Sequence, residues 1–232
     1  MASRIEVGYR LRLSGLLAEL GVAQPRDEAE ALIGQARERA SEEGLPLEEV
    51  LARVYEDLRQ RVRHTVPPPP PAAPPRFLCD LSLGGLARWL RAAGYDARAL
   101  IGAKGDALLR AAIDDQRILV TTDGHLLERR LVTEGTVFVV WVPSRMPLLR
   151  QLSVVMTDLG LPSLSPRCMS CGGELAAVAK EAVQARIPPK TARWKDEYFL
   201  CRDCGKLLWQ GTHWERIAAR LTEVSPPRTL PA

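Results

Sequence analysis

Four of the five cysteines fall into two pairs, Cys168 with Cys171 and Cys201 with Cys204, each a C-x-x-C, with 29 residues between Cys171 and Cys201. Two such knuckles give four thiolates tetrahedral access to one Zn²⁺, and Gly172, Gly173 and Gly205 permit tight turns just after each pair. With every position filled by cysteine, the zinc is expected to be structural, and any hydrolytic metal must lie elsewhere. Cys79 sits inside an apolar run and reads as a small buried side chain. A second chemistry is offered by three aspartates, Asp80, Asp106 and Asp123. Carboxylates that converge repel one another unless hard cations neutralise them, which is how Mg²⁺ or Mn²⁺ sites for phosphoryl chemistry are built. Each aspartate also has a plainer reading as a helix cap.

The elements that must bring these aspartates together form an alternating pattern. Phe77–Cys79 reads as a buried strand, Leu83–Ala93 as a helix, Ala97–Ile101 as a weaker strand and Asp106–Asp115 as a helix. Arg117–Thr121 is the next strand, Gly124–Val132 a helix, Val137–Val142 a strand rich in β-branched residues, and Pro147–Leu159 a final helix. Four βα units in succession imply an α/β unit with a parallel sheet covered by helices on both faces. Ligands of such sheets bind beyond the carboxyl ends of the strands. Asp80 directly follows the first strand, Asp123 follows the third, and Asp106 begins the helix after the second.

Other residues suit a phosphate-bearing substrate. No G-x-G-x-x-G or G-x-x-x-x-G-K-[ST] sequence occurs, which disfavours a dehydrogenase or a kinase. Gly84 and Gly85 instead open the first helix of the sheet unit, where bare backbone donors could approach a phosphate, and Arg88 and Arg91 project from the same helix. The stretch between the cysteine knuckles carries Arg186, Lys190, Arg193, Trp194 and Lys195, with Tyr198 and Phe199 following. Cations interleaved with aromatics could hold a strand and stack its bases, although the aromatics read first as packing for a small lobe. His213 follows the second knuckle and suits either an RNA contact or a hydrogen bond within the lobe.

The chain has 232 residues and a formal charge of +4, with residues 1–66 balancing to −2 and 67–232 to +6. Arginine supplies 27 of the 32 cations, and its planar fork favours a polyanionic partner, though ordinary solvated surface gives the same composition. No apolar run is long enough to span a membrane, and Arg4, Glu6, Arg10 and Arg12 interrupt any secretory leader, so a cytoplasmic chain is expected. Seven prolines in the nine residues 67–75 predict a stiff extended linker. Before it, apolar stripes at helical spacing (Leu13, Leu16, Leu17, Leu20; Ala29, Leu32, Ile33, Ala36; Leu47, Val50, Leu51, Val54, Leu58, Val62) predict two or three helices, with Gly44 and Pro46 at a turn. This segment contains His64 but no evident chemistry, and so small a unit needs a partner or the next domain to bury its apolar face. The expected divisions are a helical segment over 1–66, the linker, an α/β domain over 76–162, a zinc ribbon over 163–224 and a tail over 225–232.

The ordered motifs carry a resemblance. The run from Phe77 through Asp80, Gly84-Gly85, Arg88-Trp-Leu-Arg91 and Gly94-Tyr-Asp96, then Arg117–Asp123, the two knuckles, Ile187-Pro-Pro-Lys190 and Gly211-Thr-His-Trp-Glu215 together resemble the PIN-like Mut-seven C-terminal ribonuclease family over about residues 76–221. The resemblance implies a PIN-like fold joined to a C-terminal zinc ribbon, with metal-dependent hydrolysis of RNA to 5′-phosphate products. Carried over by position, Asp80, Asp106 and Asp123 are its acidic residues and magnesium or manganese its catalytic metal. Arg88, Arg91, Lys190, Arg193 and His213 are the residues read as substrate-binding. Two departures stand out: Thr122 occupies a place where the family often has Arg, and Pro143 and Ser144 follow the last strand where a fourth acid would sit. The implied partner is RNA, with tRNA or another structured RNA as candidates and DNA left open. A non-catalytic RNA- or protein-binding module on a degenerate fold is the alternative. The N-terminal helices lie outside the resemblance and are open to a role as an in-cis regulator or in homo-oligomer formation.

Overall fold

The computed structural model describes residues 4–63 and 73–224. His64, most of the proline run and the tail lie outside the described residues.

Three N-terminal helices form where the apolar stripes predict them: α1 (Arg4–Glu19), α2 (Pro25–Glu43) and α3 (Leu47–Arg63). Pro25 stands at the start of α2, where its missing N–H costs nothing, and Asp27 and Glu28 lie in the first turn against the helix dipole. The helix stops at Gly44, whose φ of 64° is left-handed and whose N–H returns to the Ala40 carbonyl.

The α/β unit follows as β1 (Phe77–Cys79), α4 (Gly84–Ala92), β2 (Ala97–Ala99), α5 (Asp106–Asp114), β3 (Ile118–Thr121), α6 (Arg130–Thr133), β4 (Val139–Trp141) and α7 (Leu148–Asp158). The four strands are all parallel, in the order β2-β1-β3-β4. Alternation sorts their side chains to two faces. Phe77, Cys79, Val120 and Val140 enter a large core with α4 and α7, while Leu78 and Leu119 enter a smaller one with Leu108, Leu109 and Ala112 of α5. Both faces are therefore covered, as parallel sheets require. The helix expected over Gly124–Val132 is instead a 3-10 turn over Gly124–Glu128 followed by the single-turn α6. Arg129 between them is extended (φ −69°, ψ 141°), and that residue breaks the helix.

The N-terminal helices bury their apolar faces against this sheet rather than against each other alone. Tyr9, Leu13, Ile33, Leu51 and Tyr55 belong to the same continuous core as Phe77, Val140 and Trp141. Beyond α7, β5 (Leu175–Val178), α8 (Lys180–Val183), α9 (Pro189–Ala192), β6 (Tyr198–Cys201) and β7 (Leu207–Trp209) form a lobe on an antiparallel three-stranded sheet. The last helix, α10 (Thr212–Val224), leaves that lobe and returns Ile217 and Leu221 to the main core. Among the described residues, no helix is long and apolar enough to cross a membrane.

Candidate functional site

Asp80 terminates β1 at the carboxyl edge of the sheet, and its N–H still pairs with Val120 of the neighbouring β3 (3.0 Å). The residue is 8% exposed, yet among the described residues no Arg, Lys or His pairs with its carboxylate. Neutral donors surround it instead. Oδ2 accepts from Thr121 Oγ1 (2.9 Å), Thr122 N (2.8 Å) and Thr122 Oγ1 (3.3 Å), and Oδ1 accepts from Ser82 Oγ.

Asp123 lies at the end of the adjacent strand and is linked to Asp80 through one hydroxyl. Thr121 Oγ1 donates to Asp80 and accepts from the Asp123 N–H (3.1 Å). The Asp123 side chain also caps the following 3-10 turn, accepting from His125 N (3.1 Å). The capping reading and the site reading therefore hold together at this residue. Asp106 takes the first position of α5, is exposed, and pairs across the crevice with Arg129 (3.4 Å). Among the described residues, the cysteines are the one group of three or more metal-ligating side chains whose atoms lie within 4.8 Å of one another. Asp80, Asp106 and Asp123 are not gathered into such a group. The reason is local: Arg129 draws Asp106 to itself, and each of the other two is held by donors of its own.

Several expected substrate contacts are placed differently. Arg88 is exposed on α4 and forms no ion pair among the described residues. Arg91 is not available to a substrate, because Nε donates to the Ala97 carbonyl and Nη1 to those of Met169 (3.1 Å) and Ser170 (3.0 Å). It clamps the first cysteine knuckle to α4 and β2. The Gly84 N–H is likewise committed, to the Leu81 carbonyl, and Gly85 packs beside Leu148 of α7. These glycines serve the helix start and the α4–α7 approach. Thr122, standing where the resemblance leads one to look for Arg, contributes two donors to Asp80.

In the lobe, Cys168 Sγ lies 3.8 Å from Cys204 Sγ and Cys171 Sγ 3.3 Å from Cys201 Sγ, so the twin knuckles close on one point. Burial opposes ionisation of Cys168, but the backbone N–H groups of Cys171 and Ser170 outweigh it and bring that thiol down to about 7. The Gly173 N–H favours a Cys171 thiolate, yet burial and the neighbouring sulfurs push that thiol up to about 12. Four sulfurs this close cannot all ionise without a cation among them. Cys79 is fully buried and its thiol is pushed up to about 12 by burial, which suits an inert core residue. Of the aromatics, Tyr198 packs inside the lobe and donates to the Lys195 carbonyl (2.9 Å), but Trp194 is 81% exposed and does not serve the core. Lys190, Arg193 and His213 are exposed beside that stretch, whereas Lys180 and Lys195 are paired with Asp196 and Glu215.

Sequence reasoning passed over Ser82, Thr121, Trp141 and Arg129. The Thr-Thr-Asp run straight after a β-branched strand was the available signal for Thr121 and Thr122, since small hydroxyls there face the crevice. Nothing local marks Arg129 or Trp141.

The chain thus joins a four-stranded parallel α/β domain, with Asp80 and Asp123 at the carboxyl ends of its strands, to a four-cysteine lobe clamped to the first helix of that domain. The family model described as the Mut7-C RNAse domain matches residues 75–221, and the chain belongs to that family. No curated protein and no solved structure gives a match.

Proposed function

We propose that the chain is a metal-dependent ribonuclease that hydrolyses RNA phosphodiester bonds to leave 5′-phosphate products. The observation that carries this reading is the Asp80 carboxylate, an anion on a nearly buried residue with hydroxyl and amide donors but no cation. An unpaired buried charge costs several kcal/mol, roughly, and a bound hard cation relieves that cost. The oxygen atoms gathered there, from carboxylates and Ser/Thr hydroxyls, suit Mg²⁺ or Mn²⁺ rather than a thiophilic metal. Asp80 and Asp123 would hold the ion, which keeps several waters when only one or two carboxylates bind it. An ion held by these two residues would supply Lewis-acid chemistry for phosphoryl transfer.

The chain's own residues do the positioning. Ser82, Thr121 and Thr122 fix the Asp80 oxygens, and the shared Thr121 hydroxyl fixes the spacing to Asp123. Asp106 is exposed and among the described residues pairs with Arg129, an interaction worth about 0–1 kcal/mol, so it is free to exchange that partner for a water or an ion when substrate arrives. Arg129 is then released toward a phosphate. Arg88 offers a second phosphate contact, and Lys190, Arg193, His213 and the exposed Trp194 grip flanking nucleotides. Arg91 at the end of α4 ties that gripping lobe to the helix whose start borders the crevice. The four cysteines hold a structural Zn²⁺ that keeps the lobe folded.

The test is cleavage of end-labelled single-stranded and structured RNA, a tRNA among them, with Mn²⁺ against EDTA. The expected result is EDTA-sensitive cutting with 5′-phosphate termini, abolished by Asp80→Asn with the fold intact. Cutting that survives EDTA or Asp80→Asn rejects the assignment. The separation of the three carboxylates favours a second reading, an RNA- or protein-binding module without turnover. RNA retention with no cleavage under either metal condition would select it.

A further inference from the structure

The N-terminal helices lie wholly outside the segment matched by the family model, yet they reach the candidate site, one route being a buried indole. Trp141 ends β4 and is 1% exposed. Its Nε1 donates to the Thr122 carbonyl (3.0 Å), and Thr122 in turn donates both its N–H and its hydroxyl to Asp80. The Thr122 carbonyl also shares one rigid peptide plane with the Asp123 N–H, which donates to Thr121 Oγ1, the hydroxyl that itself donates to Asp80, so holding that carbonyl fixes the plane between the two aspartates.

The cage around that indole is built largely from α1 and α3. Tyr9 meets it edge-on with centroids 5.0 Å apart at 78°, and Tyr55 does so at 6.1 Å and 75°. Both rings are buried, and each hydroxyl is anchored: Tyr9 Oη donates to the Glu48 carbonyl (3.3 Å) and Tyr55 Oη accepts from Arg12 (3.5 Å). Gly8 completes the contact. A Cβ at that position would fall 2.6 Å from Trp141 Nε1, the atom that donates to Thr122. Only glycine lets α1 lie against the indole edge while that edge keeps its hydrogen bond. Gly15, one helical stretch further on, faces open space and is not constrained in this way.

We propose that the N-terminal helices are a positioning element of the catalytic site: Gly8, Tyr9 and Tyr55 seat Trp141, Trp141 orients Thr122, and Thr122 orients Asp80. The inference rests on the reading of Asp80 as the catalytic carboxylate.

The experiment uses the full chain, loaded with zinc, at a temperature well below the unfolding transition of every variant. Cleavage kinetics and Mn²⁺ affinity are measured for the wild type, Gly8→Ala, Trp141→Phe, Gly15→Ala and Asp80→Asn. Trp141→Phe keeps an aromatic ring in the cage and removes the donor, with some loss of packing where the second ring sat. Losing the partner directly behind a metal ligand typically costs about 10–100-fold in affinity or activity, and Trp141 stands one step further back, so the lower end, about 10-fold, applies. Gly8→Ala and Trp141→Phe should each lower kcat or Mn²⁺ affinity by roughly that factor while KM for RNA stays constant, and Gly15→Ala should match the wild type. An inactive Asp80→Asn beside a fully active Trp141→Phe and Gly8→Ala would overturn the positioning role and leave the nuclease reading standing. An active Asp80→Asn would overturn both.

Discussion

Asp158 is the hinge of the ion network that joins the N-terminal helices to the sheet domain, and its removal has a calculable cost. Its Oδ1 accepts from Arg59 Nε (3.1 Å) and Nη2, and its Oδ2 accepts from Arg12 Nη2 (2.9 Å). The Arg59 side chain is only 5% exposed and also donates to Thr157 Oγ1 (2.7 Å), with its guanidinium 5.7 Å from the Tyr55 ring centroid. Asp158→Asn therefore leaves a buried guanidinium without its counter-charge. Breaking a buried pair in this way costs about 3–5 kcal/mol, and because Asp158 keeps some solvent contact the lower figure applies. For a chain of this size each kcal/mol moves Tm by about 2–4 °C, so a drop of roughly 6–12 °C is expected in scanning calorimetry near neutral pH. Replacing both partners at once, Arg59→Met with Asp158→Leu, should cost less than Asp158→Asn alone, because the buried guanidinium leaves with its partner and the charge that loses a pair is Arg12, whose side chain is 32% exposed. A Tm change under about 2 °C for Asp158→Asn would refute the claim that α1 and α3 are fused to α7 through this network.

Other expectations follow from the same geometry. The purified protein should contain one zinc per chain, and Cys201→Ser should lose it along with the near-ultraviolet signal of the lobe; metal analysis showing full occupancy in that variant would contradict a four-thiolate site. Trp194→Ala should weaken single-stranded RNA binding by about 1–3 kcal/mol, several-fold to a hundredfold, with unchanged Tm, whereas an unaltered Kd would show that the exposed ring stacks on nothing. Asp96 is partly buried, which alone would raise its pKa, but hydrogen bonds from Arg117 and Arg76 hold it below the ordinary carboxylate value. A depressed folded pKa adds stability above the unfolded value, near 4, that is lost as pH falls through the folded one. Wild type and Asp96→Asn should accordingly differ in Tm at pH 7 and converge toward about pH 2–3.

The sheet was readable because its strands are short apolar runs bounded by turn residues, and the cysteine cluster because its spacing is itself the geometry of a metal site. The helix drawn over Gly124–Val132 failed where a side-chain cap on His125 and an extended Arg129 override an apolar periodicity that is otherwise helical. Arg91 and Arg88 are indistinguishable by type and share a helix, yet carbonyls of a knuckle some 78 residues away decide that one is a clamp. Trp194 reads as core in the sequence because a small lobe needs apolar area, but Val183, Ile187 and Tyr198 already supply it. The seating of Trp141 on Gly8 left no trace in the sequence at all. It depends on close approach between α1 and the end of β4, and no local pattern encodes a contact between residues so far apart in the chain.

Whether Asp80 binds a hard cation is decided most directly by titrating Mn²⁺ into the zinc-loaded full chain and following the free ion by electron paramagnetic resonance. Wild type should take up Mn²⁺ at a site that is lost in Asp80→Asn and weakened in Asp123→Asn, with zinc content unchanged throughout. Equal Mn²⁺ uptake by wild type and Asp80→Asn would contradict the assignment of that carboxylate, and with it the proposed chemistry at the sheet edge.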